Sequence, residues 1–309
     1  HTIFHQSSSI KNNEFKSHKV VYKSYRFGIV SRFIEVCFWF LISRSKNDLL
    51  VLGDLPLNTK AKQYVLCHQA LIFHNFSIFE FNYWKFLLFR NLFKIFLKAE
   101  DVVLVQSLQM KNKVLKLIDN KSRVEIIKID TKSAMWPSFK RTARHKVSDS
   151  GNKIRLIYPA ANYEHKNHSF VNHIGQSEEV EILFTIGPGE VKFDSSYVKC
   201  IGKLSRIDVF EIYRKTDALL FLSSCESLGL PLLEAIKCNI PVLCPYADYS
   251  QTFSSDNCIF FDLDDPASFQ AAIIKLREQL TAGWWPSWNF EKTFESLGAQ
   301  TLIDILFDK

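Results

Sequence analysis

The sequence predicts an α/β protein made of two successive series of alternating strands and helices. Short apolar runs rich in Val, Ile and Leu recur along both halves, separated by helix-like segments. Residues 131–152 interrupt the pattern with Pro137, Ser138, Ser148, Ser150 and Gly151, a basic cluster and little apolar content. The passage from Ala218 to Leu243 reads as strand, glycine-bearing loop, helix and next strand. Such alternation implies parallel sheets with right-handed crossovers.

In the first half, the apolar run Phe33 to Ile42 contains Glu35 and is too short to span a bilayer; it reads as an amphipathic or buried helix. Asp48 to Asp54 is a buried strand that ends in a turn at Gly53. Gln63 to Gln69 and Asp101 to Ser107 are two more strands. A helix over Leu108 to Ile118 follows, with Ser107 placed to cap it, and Val124 to Ile129 is a fourth strand.

In the second half the expected strands are Ile154–Tyr158, Val180–Ile186, Val198–Ile201, Ala218–Leu222, Pro241–Leu243 and Ile259–Phe261. Pro266 to Leu280 and the Trp-rich stretch to Leu306 are both expected to be helical. Asp262-Leu263-Asp264 follows a strand and precedes Pro266, so it reads as a helix-start cap rather than a metal-binding pair. The expected organisation is a first domain over 1–135, a linker over 136–152 and a second domain over 153–285. A C-terminal helix over 286–309 would return to the first domain.

At 309 residues and 47% hydrophobic content the chain can form two cores. Seven scattered cysteines without a C-x-x-C pair indicate a reducing compartment and argue against a disulfide framework or zinc site. No signal peptide is evident, and a start at His1 rather than Met leads us to expect that the natural chain begins earlier. Residues 1–150 hold 25 Lys and Arg against 11 Asp and Glu, whereas residues 151–309 hold 14 against 21. The first half therefore suits an anionic partner.

Phe81 to Lys98 favours a membrane surface as that partner. Arg90, Lys94 and Lys98 recur every four residues, and Phe86, Phe89, Leu92, Phe93, Phe96 and Leu97 fill the rest. A core helix with a solvated basic stripe is the alternative, and the pattern leaves both open. No nucleic-acid-binding motif is present.

Two motifs carry chemistry. In Cys225-Glu226-Ser227-Leu228-Gly229-Leu230-Pro231-Leu232-Leu233-Glu234-Ala235, Glu226 lies in the loop and Glu234 about one turn into the helix. A helix N-terminus offers free N–H groups and partial positive charge to an anion, and a helical carboxylate can accept from ribose hydroxyls. These parts suit a sugar nucleotide. The second motif, Tyr158 to His168, contains Glu164-His165-Lys166-Asn167-His168 after the first strand of the second half. His165, His168 and His173 lack an acidic or thiolate partner at ligand spacing, so no metal site is assigned.

The first motif resembles the E-x7-E signature of retaining glycosyltransferases of family 4, and the second resembles a turn found in bacterial surface-polysaccharide members. The resemblance covers most of residues 48–280. It implies the GT-B fold, two Rossmann-like domains facing a cleft, and transfer from a nucleotide sugar without metal or other cofactor. The donor would be UDP- or GDP-linked. Lys166 would contact the donor diphosphate, with the Gly229 backbone, Leu228 and Asn162 beside it. Glu234 would bind the ribose, and Glu226 would contact the donor sugar or steady its anomeric carbon. Gly202 and Lys203 would flank the base. His68, at a strand end of the first half, would meet donor sugar or acceptor.

The implied acceptor is a glycan or a polyprenyl-diphosphate-linked sugar at the cytoplasmic membrane face, in surface polysaccharide synthesis of O-antigen or capsule type. Three departures stand out. An arginine common near Ala161 or Asn162 is absent, and Asn239 replaces a frequent glycine. The usual N-terminal strand and its glycine-rich loop are not visible, since residues 1–28 contain only Gly28; the first domain is therefore expected to be truncated or degenerate. A nucleotide-sugar epimerase of the same fold and a non-catalytic scaffold subunit are the alternatives.

Overall fold

Each half of the chain folds around its own parallel six-stranded sheet. The computed structural model describes residues 2–4, 20–22, 33–39, 48–127, 153–174, 179–251, 253, 257–288 and 305. The chain divides into two compact units, His1–Ile129 with Leu297–Lys309, and Asp130–Ser296. The expected linker at 136–152 lies outside the described residues.

The first unit runs β1 (Thr2–Phe4), β2 (Val20–Tyr22), α1 (residues 33–39), β3 (Leu49–Val51), β4 (Gln63–Leu66), α2 (Phe81–Phe96), β5 (Val102–Val105), α3 (Leu108–Leu117) and β6 (Arg123–Ile126). The sheet order is β2-β1-β3-β4-β5-β6. Leu50, Tyr64, Val102, Leu104 and Ile305 form one buried cluster; each such side chain contributes about 1.5–3 kcal/mol on burial. Ser107 caps α3 by accepting from the Met110 N–H, as its position predicts.

Two expectations for this unit are corrected. The N-terminal strand is present: β1 pairs in parallel with both β2 and β3. Three residues are too few to show periodicity, which is why the sequence hides it. Lys98 does not extend a solvated stripe with Arg90 and Lys94. Its Nζ donates to the Ala61 carbonyl at 2.7 Å and pairs with Glu100 at 2.9 Å. Beside it the wholly buried Asp101 accepts from the backbone N–H groups of Lys98 and Gln63. A buried carboxylate needs such donors, and the lysine is drawn in with it.

The second unit runs β7 (Ile154–Tyr158), β8 (Val180–Phe184), β9 (Val198–Cys200), α4 (Arg206–Tyr213), β10 (Ala218–Leu220), α5 (Leu230–Cys238), β11 (Val242–Pro245), β12 (Cys258–Phe261) and α6 (Pro266–Thr281). The order is β12-β11-β10-β7-β8-β9. The chain thus builds outward from β7 through β8 and β9, then returns to the other side of β7 with β10. The β7/β10 boundary is a topological switch point, where loops leave in opposite directions and open a crevice at the strands' carboxyl ends.

Helix ends follow from local chemistry. Asp265 caps α6 by accepting from the Ala267 N–H, with Pro266 at its first position. The cap is Asp265, one residue beyond the Asp262–Asp264 pair. Asn239 closes α5 at φ +52°, a left-handed position that asparagine tolerates, so the exchange of a glycine for it leaves the turn in place. The Trp-rich stretch departs from its helical expectation at residues 284–288, which are irregular. Gly283 at φ +79° ends α6, and Pro286 follows. The Trp285 indole N–H donates to the Asn239 carbonyl and that of Trp288 to Ile240. Residues 289–304 and 306–309 lie outside the described residues.

Candidate donor-binding site

The two sequence motifs meet at the switch point of the second sheet. β7 ends at Tyr158 and hands over to a loop with 3-10 turns at Glu164–Lys166 and His168–His173, joined by Asn167 in the left-handed region. β10 ends at Leu220 and hands over to the loop that enters α5. The His165 carbonyl is the junction: it accepts from the Ser224 N–H at 2.8 Å and from the Ser223 hydroxyl at 3.1 Å. Tyr158 donates its hydroxyl to the Lys166 carbonyl at 2.9 Å, and Tyr249 donates to the Ser223 carbonyl. Tyr158, Phe221 and Tyr249 pack edge to face beneath both loops.

On this floor the Lys166 ammonium forms an ion pair with the Glu226 carboxylate, both largely buried. Lys166 Nζ also stands 5.7 Å from the centre of the Phe221 ring. Gly229 begins α5 at φ +76°, and an added Cβ there would come within 2.8 Å of Leu232 Cδ1. Only glycine enters the helix at this angle without strain. Pro231 sits in the first turn of α5. The Leu228 side chain is buried, so it can offer a ligand only its backbone.

Glu234 is buried one turn into α5. Its Oε2 accepts from the Tyr213 hydroxyl at 3.1 Å, and its Oε1 lies 3.4 Å from an Arg206 Nη. Burial raises its pKa, while Arg206 and the Tyr213 hydrogen bond oppose the rise. A carboxylate has about four acceptor directions, so two partners leave capacity for ribose hydroxyls. Arg206 and Tyr213, at the two ends of α4, are the site residues that sequence reasoning missed. Nothing in their own surroundings marks them; only the packing of α4 against α5 brings them to Glu234.

The remaining candidates occupy nearby loops or the other unit. Asn162 is exposed and donates to the Glu190 carbonyl at 3.0 Å, which ties its loop to the 187–190 turn after β8. Gly202 takes φ +80°, and Lys203 beside it is exposed. His68 belongs to the first unit. Its Nδ1 lies 3.1 Å from Asp54 Oδ1, which also accepts from the backbone N–H groups of His68 and Gln69. It is half exposed, so it is not a core histidine.

His168 is buried between the rings of Tyr158 and Phe184, at 5.0 and 5.1 Å. Burial is the main cause that holds its pKa down to about 4, and Lys166 adds to it. Among the described residues no group of three or more His, Cys, Asp or Glu side chains is placed to hold a metal ion.

Residues 195–279, which carry Glu226, Gly229 and Glu234, match the family model described as Glycosyl transferases group 1. A search of curated proteins finds no match. Among solved structures the chain is similar to sucrose-phosphate synthase from Thermosynechococcus elongatus, with a TM-score of 0.58 and 14% identity over 87% of this chain and 76% of that one. It is similar to the lipopolysaccharide outer core galactosyltransferase WaaB, with a TM-score of 0.55 and 12% identity over 97% and 86%. It is also similar to HepE of Anabaena in complex with UDP and glucose, with a TM-score of 0.52 and 12% identity over 90% and 84%. The solved structures establish the GT-B fold. Over the matched segment the chain resembles the group 1 glycosyl transferases, and that resemblance is the basis of the functional reading below.

Proposed function

We propose that the chain is a retaining glycosyltransferase that moves a sugar from a UDP- or GDP-linked donor to a glycan or polyprenyl-diphosphate-linked acceptor. The observation that carries this reading is the Lys166–Glu226 pair at the switch-point crevice, with Glu234 one turn into the adjoining helix. A nucleotide diphosphate needs concentrated positive charge, and Lys166 and the N-terminus of α5 supply it. These groups stabilise the charge that develops on the departing diphosphate, in place of a metal ion. Glu234 accepts from the ribose hydroxyls, and Gly202 with Lys203 flanks the base. Asn162 and the backbone at Leu228 and Gly229 complete the diphosphate's surroundings.

Glu226 exchanges part of its pairing with Lys166 for the donor sugar and steadies positive charge at the anomeric carbon. The acceptor hydroxyl attacks from the face the diphosphate leaves. The C–O bond to the leaving phosphate breaks as the new C–O bond forms, and a phosphate oxygen takes the acceptor's proton. His68 meets the donor sugar or the acceptor. The net charge of the first half, +14 over residues 1–150, suits an anionic acceptor at the inner face of the cell membrane. This placement, in surface polysaccharide synthesis, is in keeping with the fold shared with WaaB.

The test is incubation with radiolabelled UDP- and GDP-sugars, with and without a bacterial lipid extract. Label in the lipid fraction, with the donor's anomeric configuration kept, is the expected result. Sugar isomerisation without acceptor would make the chain an epimerase. Nucleotide binding with neither product would make it a scaffold subunit.

A further inference from the structure

The exposed face of α2 is apolar where a surface helix is ordinarily polar. Phe81, Trp84, Leu88 and Ile95 lie on one helical stripe and are all exposed, Ile95 to 67%, with Asn91 the one exposed polar residue among them. The turn before the helix adds Ile78 and Phe79, the latter 92% exposed. The opposite face buries Phe86 and Phe93 in the core of the first unit. The helix is therefore largely apolar on both sides, and its outer side is exposed among the described residues.

This outer face is held in place. The Ser77 N–H donates to Glu80 Oε1 at 2.9 Å and the Glu80 N–H to the Ser77 carbonyl at 2.9 Å, which fixes the turn that presents Ile78 and Phe79. The Trp84 indole N–H donates to the Ile78 carbonyl at 3.1 Å. Its one polar atom is thus satisfied internally, so the ring can leave water without losing a hydrogen bond. Contiguous exposed apolar surface of this kind marks an interaction site.

Charge selects the partner. α2 carries Lys85, Arg90 and Lys94 and no Asp or Glu. Phe, Trp and Leu on one face of a helix whose charged side chains are all cations, with Glu80 in the preceding turn engaged by the Ser77 N–H, match the interface of an anionic bilayer, where rings reach the acyl boundary and ammonium groups meet headgroups. Among the described residues no helix is long and apolar enough to cross a membrane. We propose that the Ile78–Ile95 face seats the first unit on an anionic lipid bilayer by shallow insertion of its apolar side chains. This deepens the membrane placement proposed above, and it differs from the basic stripe expected from sequence: insertion leads and charge assists.

Vesicle flotation of the intact chain tests it, using equal parts phosphatidylglycerol and phosphatidylcholine, then phosphatidylcholine alone, at low and high salt. The wild type is expected to float with the anionic vesicles and to keep part of its binding at high salt. Phe79→Ser with Leu88→Gln, two exposed sites, is expected to lower binding by about tenfold or more at either salt. Lys85→Gln, Arg90→Gln and Lys94→Gln together are expected to cost about fivefold per charge, and only on anionic vesicles at low salt. Failure of the wild type to float, or wild-type flotation by the apolar variant, would overturn the proposal. So would light scattering that shows a dimer broken by the apolar substitutions, since a second copy would then cover the face. Nucleotide binding by the same preparation separates this result from the transferase reading: either can hold without the other.

Discussion

Lys166 and Glu226, 60 residues apart in the chain, meet as an ion pair because β7 and β10 are neighbours in the sheet. At the proposed donor site a diphosphate would compete with Glu226 for the lysine, which would link binding and chemistry through one side chain. Lys166→Ala is expected to weaken nucleotide-diphosphate binding by about 1.5–3 kcal/mol, the worth of a charge-assisted hydrogen bond. Glu226→Gln is expected to leave that affinity intact or tighter and to lower kcat. Calorimetry and steady-state kinetics on the two variants check this split.

Glu234 is held by Tyr213 and Arg206, which fix it for the ribose contact proposed above. Tyr213→Phe removes one hydrogen bond to a buried carboxylate and is expected to cost about 1–3 kcal/mol in urea unfolding. It should also weaken nucleoside binding, because the carboxylate loses its fixed orientation. Equal affinity for a nucleotide in the variant and the wild type would show that Glu234 does not act through this contact.

Gly229→Ala tests the entry into α5. The left-handed backbone costs an alanine about 1–2 kcal/mol, and its Cβ would press on Leu232, itself 1% exposed. Both effects point the same way. The melting temperature is expected to fall, with diphosphate affinity falling too as the first turn of the helix shifts.

His168 gives the fold a pH dependence. Its pKa is held down to about 4 in the folded chain, against about 6.5 unfolded. Between these values the unfolded chain binds the extra proton, so stability is full above about pH 6.5 and falls as pH drops toward 4. The loss reaches at most about 3 kcal/mol from this group. Urea unfolding at pH 7.5 and pH 5 should therefore show a larger drop for the wild type than for His168→Phe. An equal drop would mean that the histidine is not desolvated.

Much of this was legible in the chain. β5 appears within its expected residues because a strand buried on both faces, here Val102–Val105, is written as a continuous apolar run. The loop glutamate, the glycine turn and the helical glutamate were readable from spacing. β1 was not, for want of length. The partners of Glu234 were not either, because they come from a separate helix and no local pattern records helix–helix packing. Lys98 shows the reverse case. Its four-residue spacing from Lys94 implied a solvated stripe, but Asp101 and the Ala61 carbonyl recruit it inward.

The central claim is a nucleotide-sugar donor site in the second unit. Titration calorimetry with UDP, GDP, ADP, CMP and their common sugar conjugates tests it most directly, with Glu234→Ala as control. One nucleotide is expected to bind the wild type, with affinity lost in Glu234→Ala and reduced in Lys166→Ala. A folded wild type that binds none of them, or a Glu234→Ala variant that binds as well as the wild type, would contradict it.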